Sequence, residues 1–222
     1  LRCVTNKESQ RHNHFNPVTK HRYSMKIIIA VLSLAAVILS VSAQEQVPLE
    51  EAQKIALVLT KNALENVPLK MELDVQKPNA LRVEDVAVLV IPDKQISAET
   101  VAKADKEILP LGQLWMLKLA PALNGKVTPN DQLRIVTVAT DERDYKLPLF
   151  FLGTKKNDKG ALELVVFAKN KQPLLRVPLE KAERTQELPI ELQGAADENS
   201  GVLTLNIAGK YKADVTLMKQ AE

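Results

Sequence analysis

The chain has 222 residues, of which 45% are hydrophobic and 26% are charged, a composition that is typical of a globular protein and excludes a disordered or collagen-like chain. The formal net charge of +3 comes from the N-terminal part, because residues 44–222 contain 24 Lys and Arg against 26 Asp and Glu. The single cysteine excludes an intrachain disulfide framework.

A secretory signal peptide is predicted at residues 25–43. Lys26 follows Met25, the apolar run 27–39 comes next, and small residues at Val41-Ser42-Ala43 favour cleavage after Ala43. The apolar run is shorter than the roughly 20 residues of a membrane span, although an uncleaved N-terminal anchor is the alternative. Gln44, not Cys, follows the cut, so a bacterial lipoprotein is excluded. We therefore expect a periplasmic or secreted protein.

Residues 1–24 are polar and basic and precede the methionine of the signal peptide. We expect them to be an upstream extension that is read from too early a start, with translation beginning at Met25; a basic arm for nucleic acid is the alternative. The only cysteine and all three histidines lie in the part that is removed: Cys3, His12, His14 and His21. Residues 44–222 are then expected to form a single β-rich domain that depends on its hydrophobic core for stability.

Two short helices are predicted. The first covers 48–66, with Pro48 at its first position and two glutamates in its first turn. Its expected buried face consists of Leu49, Ala52, Ile55, Ala56, Leu59 and Ala63. The alternation at 55–59 leaves a strand open as an alternative. The second helix covers 98–107, with Ser97 as its N-cap and Lys106 near its end.

The rest of the chain has the pattern of strands. Residues 69–76 alternate between apolar and polar, and 86–91 form a continuous apolar run that is typical of a strand covered on both faces. Pro148 would make its strand an edge or bent strand, and Pro178 interrupts the last strand of this series. The further strands in this part are predicted at 114–119, 133–139, 147–152, 162–168 and 174–179.

The last third alternates most clearly, with apolar residues at every second position in 188–192, 203–207 and 211–217. Gly209-Lys210 predicts a two-residue type II′ hairpin loop between the last two strands. Turns are also predicted at 157–160 and 197–201, and a surface loop at 182–187. Together these elements predict a mainly β fold, an antiparallel β-sandwich or partly open barrel of about nine or ten strands with one or two short helices.

Several classes of chemistry are excluded if residues 1–43 are removed. Without His or Cys the chain has no Ser-His-Asp triad, no thiol nucleophile, no thiolate or imidazole zinc site and no iron–sulfur ligands. Its seven glycines are never closer than seven residues, which excludes the dinucleotide fingerprint and the P-loop. We therefore predict no catalytic, cofactor-binding or metal-binding residue.

The carboxylates and aromatic residues of the chain are compatible with a sugar-binding site. Asp141-Glu142-Arg143-Asp144 is the densest acidic segment and could supply the two carboxylates of a glycosidase, but a solvated loop is the favoured interpretation. Trp115 could be a ligand platform. Because it shares a strand face with Leu117 and Leu119 in the predicted strand, a core position is favoured.

Calcium and serine chemistry have weaker support. Residues 197–201 place oxygen ligands near a glycine, but Gly201 is fifth and Ala208 twelfth, where an EF-hand needs Gly sixth and Glu twelfth. A hairpin turn is favoured there. Ser97 and Ser200 are the two serines after the cleavage site, one an expected helix cap and the other in a turn, so a lysine-activated serine nucleophile is disfavoured.

Nucleic-acid binding is disfavoured because lysines alternate with acids and lack aromatic partners. Five lysines could form a local basic patch around the 157–160 turn, or simply protect strand edges from pairing. They are Lys155, Lys156, Lys159, Lys169 and Lys171.

The sequence thus predicts an exported, soluble, non-catalytic β-rich protein that serves as a binding or structural module of a bacterial envelope. The alternative is a periplasmic carrier of an apolar ligand, a lipid or acyl chain, with 48–66 as a lid. A carboxylate-only enzyme such as a glycosidase is the third interpretation. The expected partner is an unidentified protein or an apolar ligand, with no nucleic acid and no membrane span after signal cleavage. An unfilled cavity would favour the carrier, and a filled interior with an exposed apolar patch would favour a partner-binding module.

Overall fold

The computed structural model describes residues 44–61, 66–140, 143–196 and 200–220. The predicted upstream extension and signal peptide lie outside these residues, as do Asp141, Glu142 and residues 197–199 of the last predicted turn.

Sixteen helices and strands, together with a 3-10 helix at Asn130–Gln132, form the described part of the chain. In chain order they are β1 (Glu45–Gln46), α1 (Leu49–Leu59), β2 (Asn79–Val83), β3 (Val86–Pro92), α2 (Ala98–Ala102), β4 (Leu109–Leu117), β5 (Leu119–Leu123), β6 (Lys126–Val127), β7 (Arg134–Ala139), β8 (Asp144–Lys156), β9 (Leu162–Phe167), β10 (Leu175–Pro178), β11 (Glu180–Lys181), β12 (Ile190–Ala196), β13 (Ser200–Ile207) and β14 (Tyr211–Lys219).

The strands form two antiparallel sheets. The larger sheet has the order β1-β2-β3-β4-β8-β9-β10, with β7 also paired to β8. The smaller sheet has the order β12-β13-β14-β5-β6, with β11 also paired to β14. The predicted fold class is confirmed, and the sandwich is the arrangement adopted. Fourteen strands, more than the nine or ten predicted, are found in the described residues because β1, β6 and β11 have two residues each, too few to show an alternating pattern.

An inner core fills the space between the two sheets. The larger sheet contributes alternate side chains of β3, β4, β8 and β9, and the smaller sheet contributes alternate side chains of β12, β13 and β14. Its members include Leu114, Met116, Phe150, Leu152, Leu164, Ile190, Leu205, Ile207 and Tyr211. The three predicted strands of the last third are confirmed, except that the first begins at Ile190 and not at Leu188, and the apolar positions within the strands face this core.

An outer core covers the opposite face of the larger sheet. It contains Ile91, Trp115, Phe151 and Phe167 from the sheet, and α1 packs on it through small residues. The central strands of the larger sheet are therefore buried on both faces, which confirms the interpretation of the apolar run at 86–91.

The predicted strand at 69–76 is wrong, although its alternation correctly identifies the partly buried side chains. Leu69, Met71, Leu73 and Val75 pack on the outer core. Only Leu73 forms a β-bridge, to Asp93. The segment lies over the outer face of the larger sheet. No strand of the described residues pairs with it along its length, so it does not form a strand.

The strand predicted at 114–119 is confirmed at 114–117, which lie in β4, but it is not one continuous strand, because the chain leaves the larger sheet at Lys118. Its φ angle of 56° ends β4, and β5 begins at Leu119 in the smaller sheet. Trp115 therefore faces the outer core, whereas Leu119 packs against the inner core.

Both helices are shorter than predicted. α1 ends at Leu59, and Pro48 is its N-cap residue. Its buried side chains are Ala52, Ala56 and Leu59, so the predicted face is wrong at Leu49 and Ile55, which are exposed. The sixth predicted residue of that face, Ala63, lies outside the described residues. α2 ends at Ala102, before the predicted Lys106, but Ser97 is its N-cap as predicted and forms a reciprocal capping box with Thr100.

The proline in β8 does not make β8 an edge strand along its length, so the edge alternative of that prediction is wrong. β8 pairs with β4 on one side and with β7 and β9 on the other. Its pairing with β4 ends at Leu149, opposite Trp115, so Pro148 lies just beyond that ladder. Pro178, in contrast, ends the edge strand β10.

The last hairpin differs from the predicted type II′ loop. Ile207 pairs with Tyr211, which leaves three loop residues, and both Ala208 and Gly209 have positive φ angles. Lys210 N–H donates a hydrogen bond to Ile207 O. Positive φ at both central residues is the type I′ arrangement, so the prediction of a type II′ turn is wrong. The predicted turn at 157–160 is confirmed, with Asn157 Oδ1 accepting from the N–H groups of Lys159 and Ala161.

Candidate functional site

Trp115 lies in the outer core and is 2% exposed. Its indole Nε1 donates a hydrogen bond of 3.1 Å to Gln113 Oε1, which is also buried. The predicted core position is confirmed. A buried indole with its N–H already satisfied is not available as a stacking platform for a ligand.

The two buried carboxylates of the described residues, Asp93 and Glu163, have structural partners. Asp93 accepts backbone hydrogen bonds from Glu72 and Gln95, each of 2.8 Å, and so fixes the extended segment over the outer core. Glu163 lies 3.1 Å from an Arg176 guanidinium nitrogen and 4.0 Å from Lys155 Nζ. Both groups therefore serve the fold.

The predicted acidic segment is described only at Arg143 and Asp144, since Asp141 and Glu142 lie outside the described residues. Arg143 lies 4.6 Å from the centre of the Tyr145 ring. The described residues of this segment, Arg143 and Asp144, are both exposed, and Asp144 is the first residue of β8.

The remaining candidates lie far apart in the fold. Ser97 is engaged in the α2 capping box, and Ser200 pairs with Met218 at the start of β13. Residues 197–199 of the rejected calcium loop lie outside the described residues. Within the described ranges no group of three or more His, Cys, Asp and Glu could hold a metal ion.

The predicted lysine patch is split between the two ends of β9. Lys155, Lys156 and Lys159 lie at the β8–β9 turn, while Lys169 and Lys171 follow the far end of β9. Lys169 Nζ donates to Asp131 O. The patch at the 157–160 turn therefore includes three lysines at most.

The surface of the described residues includes at least two grooves. One of about 650 Å³ is formed by the loop 183–189, the start of α2 and the β13–β14 turn. The amide oxygen of Gln186, which lines it, is buried and has no hydrogen-bond partner, while its Nε2 donates to Leu188 O and Pro189 O. The other groove, of about 490 Å³, lies between β10, β14 and the end of β5.

α1 presents four large aliphatic side chains to solvent, a set that we call the α1 surface. Their exposed fractions are 43% for Leu49, 37% for Ile55, 45% for Leu57 and 42% for Val58. Ile55 and Val58 are three residues apart and so are neighbours on the helix. Leu57 lies on the side that also carries Lys54 and Lys61.

The α1 surface was missed by the sequence reasoning, which placed Leu49 and Ile55 on the buried face. One feature of the sequence indicates the exposed side chains. The apolar residues of α1 are more than a single face can bury, since Leu57 and Val58 come directly after Ile55 and Ala56. Two alanines can seat a helix against a sheet, which leaves the larger aliphatic residues outside.

The part of the chain that the structure describes contains no helix of sufficient length and hydrophobicity to cross a membrane. No family model, curated protein or solved structure matches this chain.

Proposed function

We propose that this protein is an exported, non-catalytic binding module of a bacterial envelope, and that it binds a partner protein through the α1 surface. The observation that carries the proposal is the exposure of four large aliphatic side chains on one short helix. Several large apolar side chains exposed on one element are typical of an interaction site, and helices commonly bind partners by inserting such side chains in a complementary apolar groove.

The way α1 is attached supports a fixed docking surface rather than a mobile lid. Ala52, Ala56 and Leu59 are buried against the outer core, whose sheet side includes Ile91 and Trp115. Thr60 Oγ1 donates a hydrogen bond of 2.8 Å to Ala56 O at the end of the helix. A helix that is held on its inner side by close packing presents its outer side chains in fixed positions, which lowers the entropy cost of binding.

The carrier stays the second candidate because of the smaller groove. Its apolar lining includes Leu123, Leu174 and Val177, the last two of which pack against the inner core. A volume of about 490 Å³ is within the range of small-molecule sites. If the protein carries an acyl chain, a lipid should be released from the purified protein by organic solvent and identified by mass spectrometry, and Val177→Asp should abolish it.

Site-specific photo-crosslinking tests the proposed partner binding. A photoreactive residue is placed at Leu57 or Val58 and, as a control on the same helix, at Glu50, in the bacterium that encodes the protein. We expect a protein adduct of one defined mass from positions 57 and 58 and none from position 50. The adduct from position 57 should disappear when Val58→Gln is added and persist when Lys54→Gln is added.

Glutamine is chosen because it is a good helix former and both sites are exposed, so each variant should unfold within about 0.5 kcal/mol of the parent. Absence of a defined adduct at both positions, in protein that is folded and correctly located, would overturn the proposal. An adduct with lipid instead of protein would favour the carrier.

A further inference from the structure

One edge of β14 is unpaired over part of its length. The other edge pairs with β13 from Tyr211 to Met218. On this edge, β11 covers only the first two residues of β14 and β5 covers only the last three. Residues 213–216 therefore have no strand neighbour on this edge among the described residues, and we call this interval the β14 gap. It is about 13 Å long, because a strand rises about 3.3 Å per residue.

The backbone groups of Asp214 and Thr216 point into the β14 gap. In the register of β14 with β5, Gln220 N–H donates a hydrogen bond to Lys118 O. Hydrogen-bonding residues alternate in an antiparallel ladder, so the even-numbered residues of β14 direct their N–H and C=O groups toward this edge. No ladder pair on this edge and no other hydrogen bond of the described residues engages the N–H groups of Asp214 and Thr216.

The β14 gap coincides with the smaller groove. That groove of about 490 Å³ is lined by residues 214–216, by 122–124 and by 174–177. In the register of β10 with β9, Leu179 N–H donates to Leu162 O, so Arg176 directs its own N–H and C=O away from β9. Backbone groups without a strand partner therefore line the groove on two sides.

We propose that an extended segment of another polypeptide binds in the smaller groove and adds a short strand between β14 and β10. Its middle residue lies opposite Val215, and the residues on either side form hydrogen bonds with Asp214 and Thr216. Strand addition of this kind obtains affinity from main-chain hydrogen bonds and specificity from pockets for alternate side chains. The site is independent of the α1 surface.

The side-chain pattern of the bound segment follows from the register. Directly opposite residues of an antiparallel pair place their side chains on the same face. Val215 faces the inner core, and Leu174 and Val177 pack against that core from the groove. The middle residue of the segment therefore points toward apolar side chains, while its two neighbours point to solvent. The preferred segment has an aliphatic residue between two polar residues.

The groove walls favour a polypeptide over a lipid. An acyl chain has no donors or acceptors along its length, so it would bury the backbone groups of Asp214, Thr216 and Arg176 without partners. The two charged side chains of the groove are already paired, Asp214 with Thr204 Oγ1 at 2.6 Å and Arg176 with Glu163 Oε1 at 3.1 Å. An uncharged segment is therefore the one that complements the groove.

A described strand of a second copy does not meet the requirements of the site. β11 and β5 close the β14 gap at its two ends, so a long strand of a folded sheet does not fit in it. The added strand also needs two free edges, whereas every described strand already pairs on at least one side. A segment that is unfolded before it binds meets both conditions, and it loses conformational entropy only over a short stretch.

Selection of linear peptides tests the proposal on the full chain. A phage-displayed random library of peptides of about seven residues, slightly longer than a typical strand, is selected on the immobilised protein. We expect enriched peptides in which an aliphatic residue lies between polar residues. The strongest of them should protect the amide protons of Asp214 and Thr216 from hydrogen exchange.

Three results of this experiment would overturn the proposal. The first is the absence of any enriched peptide, and the second is an enriched peptide that leaves the amides of Asp214 and Thr216 unprotected. The third is protection of these amides by oleate alone or by a higher protein concentration alone, because a lipid or a second copy would then be the occupant.

Thr216→Pro removes one of the proposed donors. Because this N–H points away from β13, the proline breaks no hydrogen bond of the β13–β14 ladder, and prolines are tolerated at such edge positions. The variant should melt within a few degrees of the parent and bind the selected peptide about tenfold more weakly. Thr216→Val, which keeps the N–H, should bind like the parent. Equal binding by a folded Thr216→Pro variant would contradict the proposed pairing.

Changes in the peptide avoid any effect on folding of the protein. N-methylation of the residue opposite Asp214 removes a donor to β14, and N-methylation of the middle residue removes the donor to Arg176. Each should weaken binding by about tenfold, whereas a methyl group outside the paired residues should have no effect. A methyl group that is tolerated at the middle residue would overturn the two-sided arrangement, and one that is tolerated at every position would overturn strand addition.

Discussion

Asn79 and Leu192 join the two sheets at one edge of the sandwich. The side-chain Oδ1 of Asn79, in β2, accepts a hydrogen bond of 2.8 Å from the backbone N–H of Leu192, in β12. Gln44 continues this contact with a bond of 3.0 Å from Gly194 N–H. Two N–H groups of β12, the edge strand of the smaller sheet, are thus satisfied by side chains, one from β2 of the larger sheet and one from the residue that precedes β1.

Asn79→Ala should destabilise the fold, because Asn79 is buried and its loss leaves the Leu192 N–H without a partner. An unsatisfied buried donor costs about 1–3 kcal/mol. The measurement is the free energy of unfolding in urea. Gln44→Ala is the matched control, since the Gly194 N–H that it leaves is exposed and can bind water. Equal losses for the two variants would contradict the structural role of Asn79.

Trp115, the only tryptophan, should emit at short wavelength and be quenched poorly by acrylamide until the protein unfolds. Trp115→Ala should cost about 3–5 kcal/mol, the usual range for removing a large buried aromatic side chain. Trp115→Phe should cost less, because it preserves most of the packing. Red-shifted emission from the folded protein would show that the outer core is open to water.

Gly112 should be the least replaceable glycine among those whose surroundings the structure describes. It lies at a register shift between β4 and β8, and a Cβ atom there would lie near Ile91 O. Its φ angle of 152° adds to the cost, so Gly112→Ala should destabilise the protein by more than about 2 kcal/mol. Gly160→Ala should cost about 1–2 kcal/mol, since its positive φ is the only obstacle and no atom lies within 4 Å of the new methyl group. A similar cost for both variants would contradict the close approach of β3 to Gly112.

Asp85 should make stability fall slightly in acid. Lys118 Nζ donates a hydrogen bond of 3.0 Å to Asp85 Oδ2, and this bond is the main reason why the pKa of Asp85 is lowered from its ordinary value of 3.8. A carboxyl group whose pKa is lower in the folded protein stabilises the fold above its ordinary pKa and loses that contribution as the pH falls through the lower value.

Asp85→Asn should therefore be less stable than the parent at pH 7, by about 1 kcal/mol or less for an exposed pair. The difference in the free energy of unfolding should begin to fall near pH 3.8 and vanish once the pH is below the lowered pKa of Asp85. A difference that does not change with pH would show that the lysine–aspartate bond contributes nothing.

The sequence predicts burial better than it predicts pairing. Leu69 and Leu73 are correctly placed on a buried face, but their segment has no neighbouring strand, a fact that depends on distant parts of the chain. The end of β4 at Lys118 cannot be predicted from the local sequence either, because the leucines on both sides of Lys118 are compatible with one continuous strand. Whether β7 is an edge depends on which strands flank β8, which no local pattern encodes.

The same limit applies to the candidate site. Apolar periodicity identifies residues that could be buried. Which of them are buried depends on how closely the helix approaches the sheet, and therefore on the size of the side chains between them. Ala52 and Ala56 seat α1 against the outer core, and Leu57 and Val58 are left in solvent. The burial of Trp115 could be predicted because its strand consists of large apolar residues. Such a strand is buried on both faces, so either face would place the tryptophan in a core.

The proposal of an exported, non-catalytic module depends most on removal of residues 1–43, since Cys3 and all three histidines lie there. The most direct test is the intact mass and N-terminal sequence of the protein recovered from the periplasm of a Gram-negative host after expression from Met25. We predict a soluble product that begins at Gln44, or at its cyclised form with the loss of ammonia. A membrane-associated product whose mass retains residues 25–43 would contradict it.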